Sequence, residues 1–258
     1  MYLYHTGEIW RQFPPLVPGI IVIKSIDSNL NSESKLSSWF QLAIDRLEQS
    51  SESQLPEIAA WRQAYSKMGL KPSKYRSAAE ALLRRFRREK NIPRLHPIVD
   101  LCNAVSIASA LPVAVFDLDN IDQYIEICHA DGTERYLSFN GEIETPPQGE
   151  IIFKDASNNA HARRWTFRQS KLSAVQSSTT QALIISEGMH STASKDVQKL
   201  IENLSQELSS LGVFIRGQTF LSARSPDSNL IFEVNFPYFR ENWRSGFVLS
   251  EQIHNNIN

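Results

Sequence analysis

A small polar set interrupts the apolar stretch between Pro97 and Pro112. Asp100 and Asn103 stand three residues apart, so on a helix their side chains would share a face. A carboxylate and an amide placed there could position a substrate. Asn103 could equally hydrogen-bond a neighbouring loop, and Asp100 could be an early-helix charge stabilised by the helix dipole. Cys102 could be a nucleophile, but no histidine has a motif relation to it, and an apolar helix favours a packed, inert thiol.

Further polar residues flank the predicted elements. Glu187 and His190 follow an apolar run that starts at Ala182, and they could line the mouth of a cleft or face solvent. His96 stands just before Pro97, where a helix cap or a surface position is expected.

Basic residues are concentrated between Lys67 and Arg94, where two acids interrupt ten cations. The apolar stripe at positions 78, 79, 82, 83 and 86 places Arg84, Arg85 and Arg88 on the solvent side of a helix, where they could meet a phosphate backbone. A solvated helix face balanced by acids elsewhere is the alternative. A second stretch, 161–169, interleaves cations with aromatic residues, which suits stacking on unpaired bases, although on a strand half of these side chains point inward.

The elements that must carry these residues fall into two groups. Apolar spacing predicts helices over 35–48, 56–68, 97–111 and 194–211, and another that starts at Pro72-Ser73. Strands are predicted at 19–26, 113–116, 123–129, 135–139, 150–153, 163–167, 182–186, 213–220 and 230–236. Helices first and strands later indicate an α+β domain.

Bulk properties limit the class of protein. The net charge of −1 over 258 residues excludes a global field that would attract nucleic acid, so any such attraction must be local. Cys102 and Cys128 show neither a CxxC pattern nor paired histidines, which fits a reducing cytoplasm. The apolar runs are strand-sized, and the first residues lack the basic and apolar regions of a signal peptide.

The order of residues from Pro93 to Asp117 resembles the B3/B4 signature of the phenylalanyl-tRNA synthetase β subunit. There a hydrophobic pair, then Asp, a small residue and Asn open a helix that ends in a Pro-x-x-x-Phe-Asp element. The matching residues are Val99, Asp100, Asn103, Pro112, Phe116 and Asp117. The turns at 131–132 and 141–142 and the stretches 61–65, 162–170 and 179–187 extend the resemblance over about 55–215, and they are similar to the free-standing branch of the family.

This resemblance implies an α+β fold with helices packed on a mainly antiparallel sheet, and a cleft between helices and sheet that accepts the aminoacylated 3′ end of a tRNA. In the synthetase the domain hydrolyses tyrosine wrongly attached to phenylalanine tRNA. A buried partner for the phenol hydroxyl rejects phenylalanine, because phenylalanine leaves that partner unpaired.

Three positions depart from the family pattern. Cys102 stands where threonine is usual, Ala114 replaces a histidine, and Ser186 falls on the glutamate thought to read the tyrosine hydroxyl. Glu187 could substitute only with a bulge or a one-residue shift, because neighbouring strand residues face opposite ways. The recognised amino acid is therefore predicted to differ from tyrosine.

These arguments give three sets of expected site residues. The expected catalytic residues are Asp100, Asn103 and Glu187. The expected substrate contacts are Cys102, Ala114, Trp165 and Ser186. The expected RNA contacts are Lys74, Arg84, Arg85, Arg88, Arg163, Arg164 and Arg168.

Three functions remain open. They are a trans-acting hydrolase of mischarged aminoacyl-tRNA, a non-catalytic RNA-binding module, and an amino-acid pocket that uses no RNA. No glycine-rich phosphate loop is present, so a complete synthetase is not expected. We expect an N-terminal extension over 1–54, a B3/B4-like domain over 55–215, and C-terminal strands over 216–258. The aminoacylated tRNA 3′ end is the expected partner, and no cofactor, metal or membrane is expected.

Overall fold

The computed structural model describes residues 1–27, 29–221 and 230–231. The helices are α1 Gly7–Gln12, α2 Glu33–Gln49, α3 Pro56–Lys67, α4 Ala78–Glu89, α5 Pro97–Ser109 and α6 Ala193–Ser210. The strands up to residue 144 are β1 Tyr2–His5, β2 Val17–Lys24, β3 Val113–Asp117, β4 Tyr124–His129, β5 Tyr136–Leu137 and β6 Ile143–Glu144. The later strands are β7 Ile151–Lys154, β8 Ala160–Arg163, β9 Arg168–Gln169, β10 Gln181–Gly188, β11 Phe214–Phe220 and β12 Leu230–Ile231.

Two main sheets organise the described chain. One has the strand order β12-β1-β4-β7-β8-β9, and the other has the order β11-β2-β10-β3. All pairs are antiparallel except β1 with β4, which run parallel. The expected α+β fold with a mainly antiparallel sheet is confirmed.

The four-stranded sheet separates two apolar cores, because successive side chains of a strand point to opposite faces. On one face, Ile21 and Ile184 pack with α5 and α6. On the other face, Ile20 and Ile185 pack with residues of the six-stranded sheet and with Trp61 of α3. The second core, between the two sheets, holds the site described below.

The N-terminal residues take part in both sheets. Strand β1 pairs with β4, and β2 lies between β10 and β11 in the four-stranded sheet. Most of the expected C-terminal segment, including 232–236, lies outside the described residues. The division into three segments stays a prediction.

Two element predictions need correction. The helix expected from Pro72-Ser73 begins at Ala78, because the Ser77 hydroxyl accepts the backbone N–H of Glu80 and caps the helix there. Of the strand expected over 163–167, Arg163 ends β8 and 164–167 form a turn, because Arg164 and Trp165 adopt left-handed backbone angles with φ of 48° and 59°. Among the described residues, no helix has the length and apolar character that a bilayer crossing requires.

Candidate functional site

A pocket lies between the two sheets, and not between helices and sheet as expected, with an empty volume of about 460 Å³ that includes its open mouth. Strands of both sheets and the turn after β8 supply most of its walls. The apolar wall residues are Ala114, Phe116, Phe153, Ala162, Trp165 and Ile185. The polar lining residues are Thr166, Arg168, Gln169 and Glu187. A mostly apolar cavity with a few fixed polar groups is the usual form of a small-ligand site.

Glu187 is the one acidic residue that lines this pocket in the described chain, and it is buried. Its Oε1 lies 2.7 Å from Nε2 of His5, and its Oε2 accepts the indole N–H of Trp165 at 2.8 Å. The indole N–H of Trp61 donates to the backbone carbonyl of Glu187 at 3.2 Å. The carboxylate is therefore held in one orientation by partners from β1 and from the turn after β8, while Trp61 of α3 fixes the backbone of the same residue.

The turn at 164–167 brings Trp165 into this contact. Two consecutive non-glycine residues with left-handed angles are costly, and they persist where the surroundings fix them. The backbone N–H of Trp165 donates to the carbonyl of Ile151 at 2.8 Å, and the Tyr65 hydroxyl donates to the carbonyl of Arg164 at 3.0 Å. The first turn of α4 also docks here, since the Ala78 N–H donates to the Thr166 carbonyl at 2.8 Å.

Strand alternation decides between Ser186 and Glu187. Ile185 packs in the core on the pocket side, whereas Ile184 packs beneath α5 and α6. Ser186 therefore faces the helices, and its buried hydroxyl has no hydrogen-bond partner among the described residues. The expected substrate contact of Ser186 is thus corrected. Glu187 faces the pocket without a bulge, because β10 keeps regular pairing with β2 and β3 through Ser186.

Ala114 lines the pocket where the family has a histidine. Its methyl group adds an apolar wall and no titratable group. Among the described lining residues no histidine occurs, so the pocket offers no imidazole as a general base.

The three candidates on α5 do not line the pocket. Asp100 is buried, and its Oδ1 accepts the backbone N–H of Leu95 at 2.8 Å, which braces the chain entering the helix. Cys102 lies in the core beneath the sheet, and burial raises the pKa of its thiol, so it is neither a substrate contact here nor a reactive nucleophile. Asn103 is half-buried, and its side chain makes no hydrogen bond within the described chain. Its catalytic role stays a prediction.

The solvent side of α4 carries the expected arginines, together with acidic partners. Arg84 and Arg87 share Glu52 at 3.2 and 2.8 Å. Arg85 and Arg88 share Glu89, each at 2.7 Å. Four arginines thus face two glutamates, which leaves an excess of two positive charges on an exposed surface.

The three arginines near the pocket have different environments. Arg163 is buried, with Nε 2.8 Å from Oε1 of Glu150, so it is not part of an exposed RNA surface, and that expectation is corrected. Arg164 lies over the rings of Tyr75 and Phe167 at 4.8 and 5.6 Å.

Arg168 lines the pocket, and its side chain is 44% exposed. Lys74 is also exposed, with Nζ 5.4 Å from the centre of the Tyr75 ring. Arg168 and Lys74 remain candidates for contact with a polyanion outside α4.

One group of side chains could offer three metal-ligand atoms, from Glu57, His190 and Asp196, within 4.8 Å of one another. Its members already have protein partners. One guanidinium nitrogen of Arg46 donates to both carboxylate oxygens of Glu57 at 2.7 and 2.8 Å. His190 Nε2 lies 2.9 Å from Oδ2 of Asp196. A guanidinium beside a cation site would repel the cation, so this group is better described as a network that joins α2, α3 and α6.

His5 is a site residue that was not expected from the sequence. Its side chain is fully buried, and it enters the site from β1, which pairs with β4 from His5↔Ile127 to Tyr2↔Tyr124. The available signal was the alternation of Tyr2, Leu3, Tyr4 and His5, which puts Leu3 and His5 on the inner face. A histidine at an inward position needs a polar partner, and that requirement marks it as a candidate.

The chain was compared with known proteins. The model of the B3/4 domain matches residues 60–211, which is more than half of the chain. Among solved structures, an N-terminal fragment of the phenylalanyl-tRNA synthetase β-subunit from Pyrococcus horikoshii is similar, with 14% sequence identity and a TM-score of 0.41. That alignment covers 83% of this chain and 50% of the fragment, so the chain spans about half of the fragment's length. A comparison with curated proteins found no match. The extent of the B3/4 match shows that the chain belongs to the B3/4 domain family.

Proposed function

We propose that this protein binds the aminoacylated 3′ end of a tRNA and hydrolyses the ester of a mischarged amino acid in trans. The observation that carries the proposal is Glu187, a carboxylate with both oxygens fixed by N–H donors at the wall of an apolar pocket. Such a pocket suits an amino-acid side chain that is apolar along its length and ends in a hydrogen-bond donor. An analogue without the donor would leave the buried carboxylate short of a partner.

The proposed reaction is ester hydrolysis. The oxygen of a water molecule adds to the ester carbonyl carbon, the bond from that carbon to the ribose oxygen breaks, and the ribose oxygen leaves with a proton. The products are the free amino acid and the uncharged tRNA. An aminoacyl ester is already activated, so holding the substrate and water in place, with the neighbouring ribose hydroxyl assisting, can supply much of the acceleration.

The cationic surface supports the RNA part of the proposal. Arg168 stands at the pocket with a half-exposed side chain. The first turn of α4 contacts the turn that lines the pocket, and the excess positive charge lies further along the same helix. The ion pairs of Arg85 and Arg88 with Glu89 are exposed and contribute little to stability, so these two arginines can exchange a carboxylate for a phosphate at small cost.

A deacylation panel tests the proposal. Purified protein is mixed with tRNAs that carry different amino acids, and the release of free amino acid is followed. We expect at least one ester to be cleaved well above the blank, and Glu187→Gln to lower kcat/KM for the preferred ester by roughly 10- to 100-fold, the range for losing a hydrogen bond to a charged group. Glu202→Gln, the same change on the exposed side of α6, should have no effect.

Asn103→Ala belongs in the same panel. A catalytic Asn103 predicts loss of release with tRNA binding intact, and unchanged release would remove it from the site. Release of no amino acid from any tRNA would exclude the hydrolase.

A non-catalytic tRNA-binding module is the second candidate. The observation that favours it is the absence of a histidine among the described pocket residues, with Ala114 at the position where the family has one. It predicts salt-dependent tRNA binding without deacylation. An amino-acid pocket without RNA would instead show thermal stabilisation by a free amino acid and no tRNA affinity.

A further inference from the structure

Strand β1 lies outside the matched B3/4 region, yet it supplies a direct contact to the pocket. His5, its last residue, has a fully buried side chain whose Nε2 lies 2.7 Å from Oε1 of Glu187. This is a buried, short contact between two groups that are both costly to leave unpartnered in an apolar core.

In the described chain, the contact with Glu187 is the one polar interaction of the His5 imidazole. Its Nδ1 is buried and without a hydrogen-bond partner, and the ring packs against Trp10 with centroids 5.1 Å apart. The contact to Glu187 is therefore the interaction that gives the ring its orientation. With Nε2 protonated, the ring donates to the carboxylate just as the indole of Trp165 does on the other oxygen.

The two donors leave the carboxylate with further acceptor capacity. An ionised carboxylate offers about four lone-pair sites, and His5 and Trp165 occupy two of them. The remaining sites are available to a donor that enters the pocket. With His5 removed, Glu187 would keep only the Trp165 donor on its carboxylate and would be held less firmly, so a ligand would have to fix it at an entropic cost.

We propose that His5 is a positioning residue for ligand recognition, which fixes Glu187 so that the pocket selects a side chain with a hydrogen-bond donor over an apolar one of the same shape. The N-terminal strand β1 then contributes to the ligand specificity of the pocket. This proposal rests on the proposed function in taking Glu187 as the residue that meets the ligand.

Two substitutions separate the hydrogen bond from packing. His5→Gln keeps an N–H donor at about the position of Nε2, whereas His5→Phe keeps a flat ring against Trp10 and has no donor. His5→Leu replaces His5→Phe if the latter does not fold. Each variant is measured alone and together with Glu187→Gln, on pairs of aminoacyl-tRNAs whose amino acids differ in a hydroxyl donor (tyrosine and phenylalanine, threonine and valine).

The kinetic readout is the ratio of kcat/KM within the preferred pair. We expect His5→Phe to lower this ratio at least tenfold and His5→Gln to keep it within about threefold of the wild type. In the Glu187→Gln background, His5→Phe should change the ratio by less than twofold, because its effect passes through Glu187. Equal losses for His5→Gln and His5→Phe would assign His5 to packing alone, and an unchanged ratio in His5→Phe would overturn the proposal.

A second readout does not need catalysis. The indole proton of Trp165, assigned by its loss in Trp165→Phe, donates to the same carboxylate, so its hydrogen exchange reports how firmly Glu187 is held. We expect exchange at least tenfold faster in His5→Phe and close to wild type in His5→Gln, with the Trp61 indole, which bonds a backbone carbonyl, as the internal reference. Should the wild type cleave no ester, the proposed function fails while this measurement still decides the role of His5, and equal Trp165 exchange in all three proteins would overturn that role.

Discussion

His96 and Asp100 hold the chain where it enters α5. The Nδ1 of His96 accepts the backbone N–H of Ile98 at 3.3 Å, and Asp100 accepts the N–H of Leu95. Burial lowers the pKa of the His96 imidazole, while the nearby Asp100 carboxylate opposes that effect. The cap requires an unprotonated Nδ1, so the neutral ring is the form that fits the fold.

This arrangement predicts a loss of stability in mild acid. The pKa of His96 is lowered by folding, so the unfolded chain binds the proton more readily, and stability falls as the pH drops below about 6.5. Between pH 7.5 and 5.5 the contribution is at most about 1.4 kcal/mol, because the unfolded imidazole binds on average about half a proton over these two pH units. Urea unfolding at both pH values measures it. His96→Asn keeps a capping acceptor without a titrating group, and it should show a smaller drop than the wild type. Equal drops would contradict the assignment.

Residue-level prediction from the sequence reached Glu187 without identifying its partners. The sequence shows that Ser186 and Glu187 face opposite ways, but which face holds the pocket depends on packing with distant elements. The place of Asp100 in the first turn of a helix is visible in the sequence and indicates a charge stabilised by the helix dipole, whereas its hydrogen bond with Leu95 depends on how the preceding chain folds. Burial of Arg163 was not predicted, since it depends on Glu150 in the neighbouring strand.

Strand β2 and helix α6 pack unusually closely at Gly19. A Cβ added there would lie 2.6 Å from Cγ1 of Ile201 and 2.7 Å from Cγ1 of Val197, both buried in the core. Real Cβ atoms do not approach other heavy atoms so closely. The absence of a side chain at Gly19 therefore sets the distance between the sheet and α6.

Gly19→Ala should accordingly destabilise the fold. We expect the free energy of unfolding to fall by about 1–3 kcal/mol, the usual cost of overpacking a core, as measured by urea denaturation. Gly7→Ala is the matched control, because its added methyl would meet only the flexible end of Arg11 at 3.2 Å. If both variants were as stable as the wild type, the close packing of Gly19 against α6 would be contradicted.

Elements were predictable where periodicity alone fixes them. The helices α2, α3, α5 and α6 appear within a few residues of their predicted positions, because their apolar spacing is regular. The strand was predicted over 163–167 because aromatic and basic residues of this kind are common in strands. The prediction is wrong for Arg164 and Trp165, because tertiary contacts hold them in left-handed angles that no local sequence pattern shows. Helix α4 begins later in the chain than predicted because Ser77 caps it. Ser77 is a recognisable capping residue in the sequence, but Pro72 is an equally typical helix start.

At the scale of the whole molecule, charge is nearly balanced, and any attraction to RNA is local. We expect Arg85→Glu/Arg88→Glu to weaken tRNA binding and to reduce the slope of log affinity against log salt by about one unit for each phosphate that the variant no longer binds. Lys195→Glu/Lys199→Glu on α6 changes the net charge equally and is the control. Filter binding at several salt concentrations measures both variants. Equal weakening by the two variants would indicate a general charge effect and no localised surface.

The α+β class was predictable from the order of elements, because helices grouped before strands restrict the layer arrangements available to the chain. The placement of the N-terminal residues was not. Strand β1 is four residues long, and its position depends on a parallel partner whose first paired residue is Tyr124. Pairing between such distant segments leaves no local trace in a sequence.

The contact between His5 and Glu187 joins positions 182 residues apart, and this separation bears on how the protein is made. At synthesis rates of about 5–20 residues per second, the imidazole precedes its carboxylate by roughly 10 to 40 s. During that interval the nascent chain contains β1 without the carboxylate that contacts His5 in the folded protein. The pocket can therefore be completed only after the greater part of the chain has emerged from the ribosome, and an incomplete product would lack it.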